Sequence, residues 1–246
     1  LSITNTPTGI YYMSQSQGKV FAITDKGLEE ISAAAMRWWF NRYLPYLLTI
    51  DFPDFQLTDN PVAGIGCQSV FDNTNQILYF SKRDYRVRRD ITNTVTYAPS
   101  IGPNMFLVDN ALQVKLGDPA YFENCSWTIS YDPKNQMWIS FHDWIPELGL
   151  SSKNYFLTTQ TDADNKGGIW RHNIRTDLYA NYYGIDYPFE VEYIAQTGQN
   201  VNTLRNIEYN LECYTYDVDG IDTYHVLDFN FDHAIVHNTE QVSGVL

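Results

Sequence analysis

The sequence has few cysteines, little basic charge, no long apolar run and none of the common catalytic signatures, and each shortage removes a class of function. Its three cysteines, Cys67, Cys125 and Cys213, lie far apart without a C-x-x-C pair. Neither a disulfide framework nor a zinc site is indicated, and all three read as small core residues of a reduced product made in the cytoplasm. Basic residues number 16 against 29 acidic ones, a net charge of −13, which repels phosphate backbones and anionic lipid alike, so direct nucleic-acid binding is not expected. No segment approaches the roughly 18 to 20 apolar residues of a membrane span, and Leu1 to Ile10 has neither the basic start nor the apolar centre of a secretion signal. The G-x-S-x-G elbow, the Walker loop, G-x-G-x-x-G and H-E-x-x-H are all missing. No catalytic residue, no cofactor and no metal is assigned. A glycosidase pair needs only spatial proximity, and Asp143 with Glu147 beside Trp144 is the one arrangement that fits a sugar corner. Against it, HDWIPE reads as a strand leaving the core with its aromatic residues buried.

What the chain does have is aromatic residues, 19 Tyr, 13 Phe and 6 Trp, suited to cross-strand pairs and to interfaces. They fall into a recurring plan of strand, polar turn and strand. The clearest copy is Trp127 to Pro146. There Thr128 to Tyr131 alternates, Asp132-Pro133-Lys134-Asn135 is turn chemistry, and Met137 to Phe141 resumes a strand. Ser69 to Phe80 repeats it around Asp72-Asn73-Thr74-Asn75, with Asp72 lying 60 residues before Asp132. Gly9 to Ile23 repeats it around Ser14 to Gly18, and Gly167 to Gly184 and Leu211 to Phe229 follow. Met105 to Val108 and Leu112 to Leu116 bracket a further short hairpin at Asp109-Asn110. Further strands are expected at Thr92 to Gly102, Tyr155 to Thr159, Glu190 to Ala195, Ile207 to Tyr216 and Tyr224 to Val236. Such spacing fits four-stranded propeller blades with insertions. The expected fold is all-β, mainly antiparallel hairpins with one inserted helix, forming a whole or partial β-propeller-like domain over residues 1–246. Leu1 stands where a methionine would begin a complete chain, so a piece of a longer protein is expected.

The helix is placed at about residues 25–44, with Asp25 as its cap and Leu28, Ile31, Ala35, Trp38 and Trp39 as its apolar face; Pro45 ends it and Tyr46 to Ile50 returns to an extended run. Trp38 and Trp39 read as packed against their own domain. Asp51 to Gly66 and Pro146 to Asn154 read as loops. Arg83, Arg86, Arg88 and Arg89 form the only basic cluster. Two readings stay open for it: a charged edge that discourages accidental strand pairing, or a grip on an acidic neighbouring subunit. Asp162 to Gly168 superficially resembles a calcium loop, but a lysine sits in a ligand slot and the downstream glutamate is missing, so it reads as a polar turn. Asp217-Val218-Asp219-Gly220 reads as a hairpin turn. His233 and His237 can share a strand face near Asp232, without the fixed third ligand a metal needs.

YDPKNQMWISFHDWIP, followed by NYFLTT and GGIWRHN, resembles a run in the tail muzzle proteins of crAss-like bacteriophages, short-tailed phages of gut Bacteroidales. In that family a turn like Asp132-Pro133-Lys134, a strand like Trp138 to His142 and a segment like Gly167 to Asn173 occur in this order. GIYYMSQSQGKVFAI and GLEEIS are similar too, so the likeness covers most of the chain up to about Gly184. The resemblance implies a virion structural component, largely β, at the distal end of a short tail, where copies surround and close the channel. It implies no catalytic residues. A ring-forming homo-oligomer is therefore expected, with Arg83 to Arg89 at or near a subunit contact and other tail proteins as further partners. The alternative is a receptor- or glycan-binding tail module using Trp144 and Trp170.

Overall fold

The computed structural model describes residues 2–150, 152–161, 167–173, 180–192, 213–216, 223–226, 231–237 and 242–245. These residues are mostly β, in antiparallel sheets with few short helices. The chain divides into two compact units, Leu1–His172 and Asn173–Leu246.

The first unit opens with a four-stranded meander, β1 (Ile3–Thr6), β2 (Gly9–Ser14), β3 (Lys19–Thr24) and β4 (Gly27–Glu30), paired in chain order. Alternation sets its faces. Thr4, Tyr11, Met13, Val20 and Ala22 are buried, while Ile3, Ile10, Ile23 and Leu28 point the other way and are exposed. Two short helices follow, α1 (Arg37–Tyr43) and α2 (Leu48–Asp51). The hairpin β5 (Gly66–Asp72) and β6 (Ile77–Arg83) comes next, then an excursion through β7 (Tyr85–Val87), β8 (Val95–Tyr97), β9 (Met105–Val108), β10 (Leu112–Lys115) and β11 (Phe122–Asn124), then a second hairpin, β12 (Trp127–Asp132) and β13 (Met137–His142). The two hairpins lie side by side as one central sheet in the order β13-β12-β6-β5. A third sheet, β14 (Leu148–Leu150), β15 (Phe156–Thr161) and β16 (Gly167–His172), ends the unit.

The turns of the central hairpins are the same device. Asp72 Oδ1 accepts from the Thr74 and Asn75 amides while Oδ2 accepts from Asn75 Nδ2. Asp132 does the same with Lys134 and Asn135. Gln76 and Gln136 then take a left-handed φ of 59° and 56° to enter the return strand. The sequence D-x-x-N-Q thus encodes each reversal locally. At the β9 to β10 reversal, Asp109 and Asn110 both have positive φ, as expected of residues that tolerate that region.

Both faces of the central sheet are covered over β5, β6 and β12, whereas β13 leaves Met137, Ile139 and Phe141 exposed. One face, with Phe71, Leu78, Phe80, Ile129 and Tyr131, belongs to the main core, and there Tyr11 of the first sheet meets Tyr131 at 6.0 Å. Ser69 on the same face bonds Ser2 and Thr4. The opposite face meets the third sheet: Tyr79 stacks on Phe156 at 4.9 Å, and Gln68 Nε2 donates to the Pro146 carbonyl. Gly149 approaches Val70 so closely that a Cβ there would lie 2.3 Å from the valine Cβ, so only glycine allows β14 to sit on β5. The first, central and third sheets are stacked in that order. The excursion packs its own aromatic group, with Phe106 within 4.9 Å of both Phe52 and Phe122.

Several expectations are corrected. The single helix over 25–44 is not formed: Gly27–Glu30 is β4, and a 3-10 turn spans Ile31–Ala33. Ala35 has φ 62°, which no helix tolerates, and helix begins only at Arg37. The physical reason is that Leu28 pairs across from Ile23, and Glu30 joins Lys19 at 2.9 Å on the neighbouring strand. Cross-strand partners thus replace the helical ones. The extended run expected over Tyr46 to Ile50 is instead α2, and the loop expected over Pro146 to Asn154 contains β14. β16 returns onto β15 rather than starting a hairpin of its own.

In the second unit, β17 (Asn181–Tyr182) pairs with β18 (Ile185–Asp186), β19 (Cys213–Tyr216) with β20 (Thr223–Val226), and β21 (Ile235–His237) with β22 (Val242–Val245). The β19–β20 hairpin matches its expectation. Glu190 to Glu192, expected in a strand, are irregular. The calcium-like stretch 162–166, the turn 217–220 and much of 207–212 lie outside the described residues.

At the corner between the helices and the central sheet lies a buried ion pair. Lys82 Nζ is 2.6 Å from Asp84 Oδ2, both side chains fully buried. Lys82 also donates to the carbonyls of Tyr43 (2.8 Å) and Pro45 (2.7 Å), and Asp84 accepts from the amides of Leu47 (2.7 Å), Leu48 and Tyr85. Lys82→Met leaves Asp84 buried without its cation, so urea unfolding should show a loss of about 3 to 5 kcal/mol. Breaking the exposed Arg88–Asp90 pair should leave the unfolding curve essentially unchanged.

Candidate functional site

The arginine cluster lies on β6, β7 and the segment after them. Arg83 donates to the Pro61 carbonyl at 2.9 Å and lies 3.4 Å from Glu147 Oε1. Arg86 pairs with Glu123 at 2.7 Å across the β7–β11 ladder, and Arg88 pairs with Asp90 at 2.5 Å. The Arg88 guanidinium holds the Asp90 carboxyl below its usual range. Arg89 is exposed. Three of the four cationic side chains thus already meet carboxylates of their own chain, and Arg89 is the one that offers its charge outward. Arg86 and Arg88 keep about a third or more of their surface exposed, which leaves both readings of the cluster open.

Of the two readings of Trp144, the buried one holds: it is 1% exposed, which goes against the alternative that offers it to a sugar. Leaving β13, it turns into the seam between the central and third sheets, 5.2 Å from Tyr79 and 6.2 Å from the ring of His172. Trp170, on β16, keeps 38% of its surface and does not share that pocket with an open face of Trp144. Glu147 is also buried, bonded by Thr161 Oγ1 at 2.8 Å and near Arg83, so it holds the third sheet to the central one.

The same seam holds two histidines that sequence reading passed over. His172 Nε2 is 2.7 Å from Thr158 Oγ1, and the Asp72 carboxylate acts on the ring from nearby. A hydroxyl hydrogen-bonded to an imidazole is one element of a nucleophile relay. Thr158 is wholly buried, however, and Trp144 lies over the imidazole at 25°. The hydroxyl is closed to a substrate as it stands. His142 bonds Ser130 Oγ at 2.9 Å on the same face. Burial pulls the pKa of each ring down to about 4, the Asp143 and Asp72 carboxylates opposing the shift only in part.

Elsewhere, Tyr46 donates to Asp59 at 2.5 Å, and burial pushes its hydroxyl far above the ordinary tyrosine value. The same burial pushes the neighbouring Cys67 thiol up to about 11, which keeps it an inert core group. Of the helix tryptophans, Trp39 packs edge-on to Trp127 at 4.9 Å, whereas Trp38 is 67% exposed, with Arg42 beside its ring. In the second unit, His237 lies 3.5 Å from Glu192, both exposed. Among the described residues no three metal-ligating side chains converge. Two open grooves are present. One of about 440 Å³ runs between Ala34 to Met36 and the exposed row Met137, Ile139 and Phe141, and one of about 750 Å³ lies between hairpin tips at Pro7, Lys26 and Pro133.

Comparison with known proteins finds no matching family model, curated protein or solved structure.

Two outcomes follow from the seam. Trp144→Ala should lower stability by about 3 to 5 kcal/mol, by chemical unfolding, while the half-open Trp170→Ala should cost less. For pH, the unfolded histidines take protons near their ordinary 6.5 and the folded ones only near 4. The unfolded state binds more protons between those values, so stability is full above pH 6.5 and falls as pH drops toward 4. The loss reaches up to roughly 3 kcal/mol per histidine. His172→Gln should flatten that slope in a series of melts from pH 7 to 4.

Proposed function

We propose that the chain is a non-enzymatic structural component of a bacteriophage tail, at the distal muzzle of a short tail, assembled as a cyclic ring with other tail proteins. The observation that carries this reading is where the family-like residues lie. Trp138 to His142, Trp144 and Gly167 to His172 build β13, the seam and β16, the elements that hold two stacked sheets together. The likeness is therefore one of scaffold, as expected of an assembly protein. The finer fold, a whole or partial β-propeller, draws support from the two four-stranded antiparallel sheets, one a meander and one a pair of hairpins, and from their packing through Tyr11 and Tyr131. Receptor or glycan binding remains the alternative through Trp170 alone, since Trp144 has no face to offer.

Mass spectrometry of purified virions tests the proposal. Peptides from Trp127 to Arg171 should co-purify with particles in fixed proportion to other tail proteins. Their presence in infected-cell lysate but not in virions would sink it.

A further inference from the structure

β13 is the outer strand of the central sheet, and its far edge is bare. It pairs with β12, and among the described residues no other backbone hydrogen bond reaches Met137 to His142. Met137, Ile139 and Phe141 are 54%, 50% and 53% exposed. Beside them runs the groove of about 440 Å³ whose far wall is Ala34 to Met36. A row of unpaired amides and carbonyls next to an apolar groove fits one kind of occupant, an extended strand that adds to the sheet and lays alternate side chains into the groove.

Such an edge is usually guarded by lysine, proline or a bulge. Asn135 to His142 contains no carboxylate, lysine, arginine or proline. A bulge is present: Ser130 pairs with Ser140 and Tyr131 with Trp138, so Ile139 is the extra residue. It bends the strand and keeps any added pairing short, but it does not cover the edge. We propose that β13 of one copy pairs with β13 of a second copy, antiparallel about a two-fold axis, joining the two central sheets edge to edge.

Charge selects this occupant. The uncharged edge carries Lys134 in the turn before it and Asp143 directly after it. Both are exposed, and among the described residues neither forms an ion pair. A strand laid antiparallel on this edge meets Asp143 at its own start and Lys134 at its own end. It therefore needs a basic residue first, then an uncharged apolar stretch, then an acid, and Lys134 to Asp143 is itself such a sequence. Two-fold pairing sets Lys134 beside Asp143 of the second copy twice over, whereas parallel pairing would bring like charges together. The contact is small, since three half-exposed side chains and one short strand edge belong with transient encounters, so the pair should dissociate readily on dilution. It also closes at two copies, because both use the same edge. The inference goes beyond the tail reading and does not rest on it: a virion without this chain would leave it standing, and a monomeric chain would leave a virion assignment standing.

The test uses the full chain in sedimentation velocity at about 200 µM, where wild type should show a dimer in equilibrium with monomer. Lys134→Glu and Asp143→Lys each make both ionic contacts repulsive, and each alone should weaken dimerisation more than about tenfold in low salt. An equimolar mixture of these two variants restores opposite charges at both ends of a mixed pair and should dimerise as wild type does. Ile139→Lys, at the exposed centre of the edge, should be monomeric alone and in every mixture. All three sites are solvent-exposed, so thermal melts should match wild type and certify the fold. Wild type monomeric at that concentration, any variant alone pairing like wild type, or a charge-variant mixture that stays monomeric would overturn the proposal.

Discussion

The buried pair Lys82 and Asp84 is the constraint on which the first unit depends. Both side chains are fully buried, so each charge has lost its water, and an uncompensated ion at such a site costs several kcal/mol. Compensation comes from one stretch of backbone: the carbonyls of Tyr43 and Pro45 face the ammonium, and the amides of Leu47 and Leu48 face the carboxylate. These are the unsatisfied groups at the end of α1 and the start of α2. The pair therefore caps two helices at once and ties the corner between them to β6. Trp127 adds its indole N–H to the Tyr43 carbonyl from β12. The route from the first sheet into the central sheet is set here, which is a positional role that an apolar pair of the same volume would not reproduce.

From that corner the stack follows by alternation. With β6 anchored, Leu78 and Phe80 share the side of Lys82 and enter the main core, while Tyr79 and Ser81 face the third sheet. The two faces are chemically unlike. The core side is aliphatic and aromatic. The seam side mixes Ser130, Thr158, His142 and His172 with Tyr79, Trp144 and Phe156, and the polar four are joined in two hydrogen-bonded pairs, Ser130 with His142 and Thr158 with His172. A polar seam needs exact partners and so fixes the orientation of the third sheet more tightly than an apolar one, at the expense of acid stability.

What was legible in the sequence was local. The D-x-x-N-Q turns carry their own hydrogen bonds within four residues, so both central hairpins could be read off directly. The helix was misread because Leu28 and Ile31, three residues apart, satisfy a helical period, while the deciding partners of Leu28 and Glu30, which are Ile23 and Lys19, come from the preceding strand. Lys82 left a signal that went unread: it sits two and four residues after Phe80 and Leu78, on the buried parity of an apolar strand. The arginine partners Glu123 and Glu147 are 37 and 64 residues distant and left none. Trp144 was ambiguous because the strand ends at His142, two residues before it, and nothing in HDWIP says toward which side the chain then turns.

Charge is segregated along the chain in a way that bears on assembly. Residues 173–246 contain twelve acidic and two basic side chains, so most of the net −13 belongs to the second unit, while the first unit is close to neutral. A strongly acidic segment keeps copies apart at long range and is screened over about 10 Å in 0.1 M salt. Apolar sheet faces act only on contact and are insensitive to that screening. An arrangement of this kind discourages indiscriminate collapse of one copy on another. The apolar sheet faces of the near-neutral first unit are left to act at short range only.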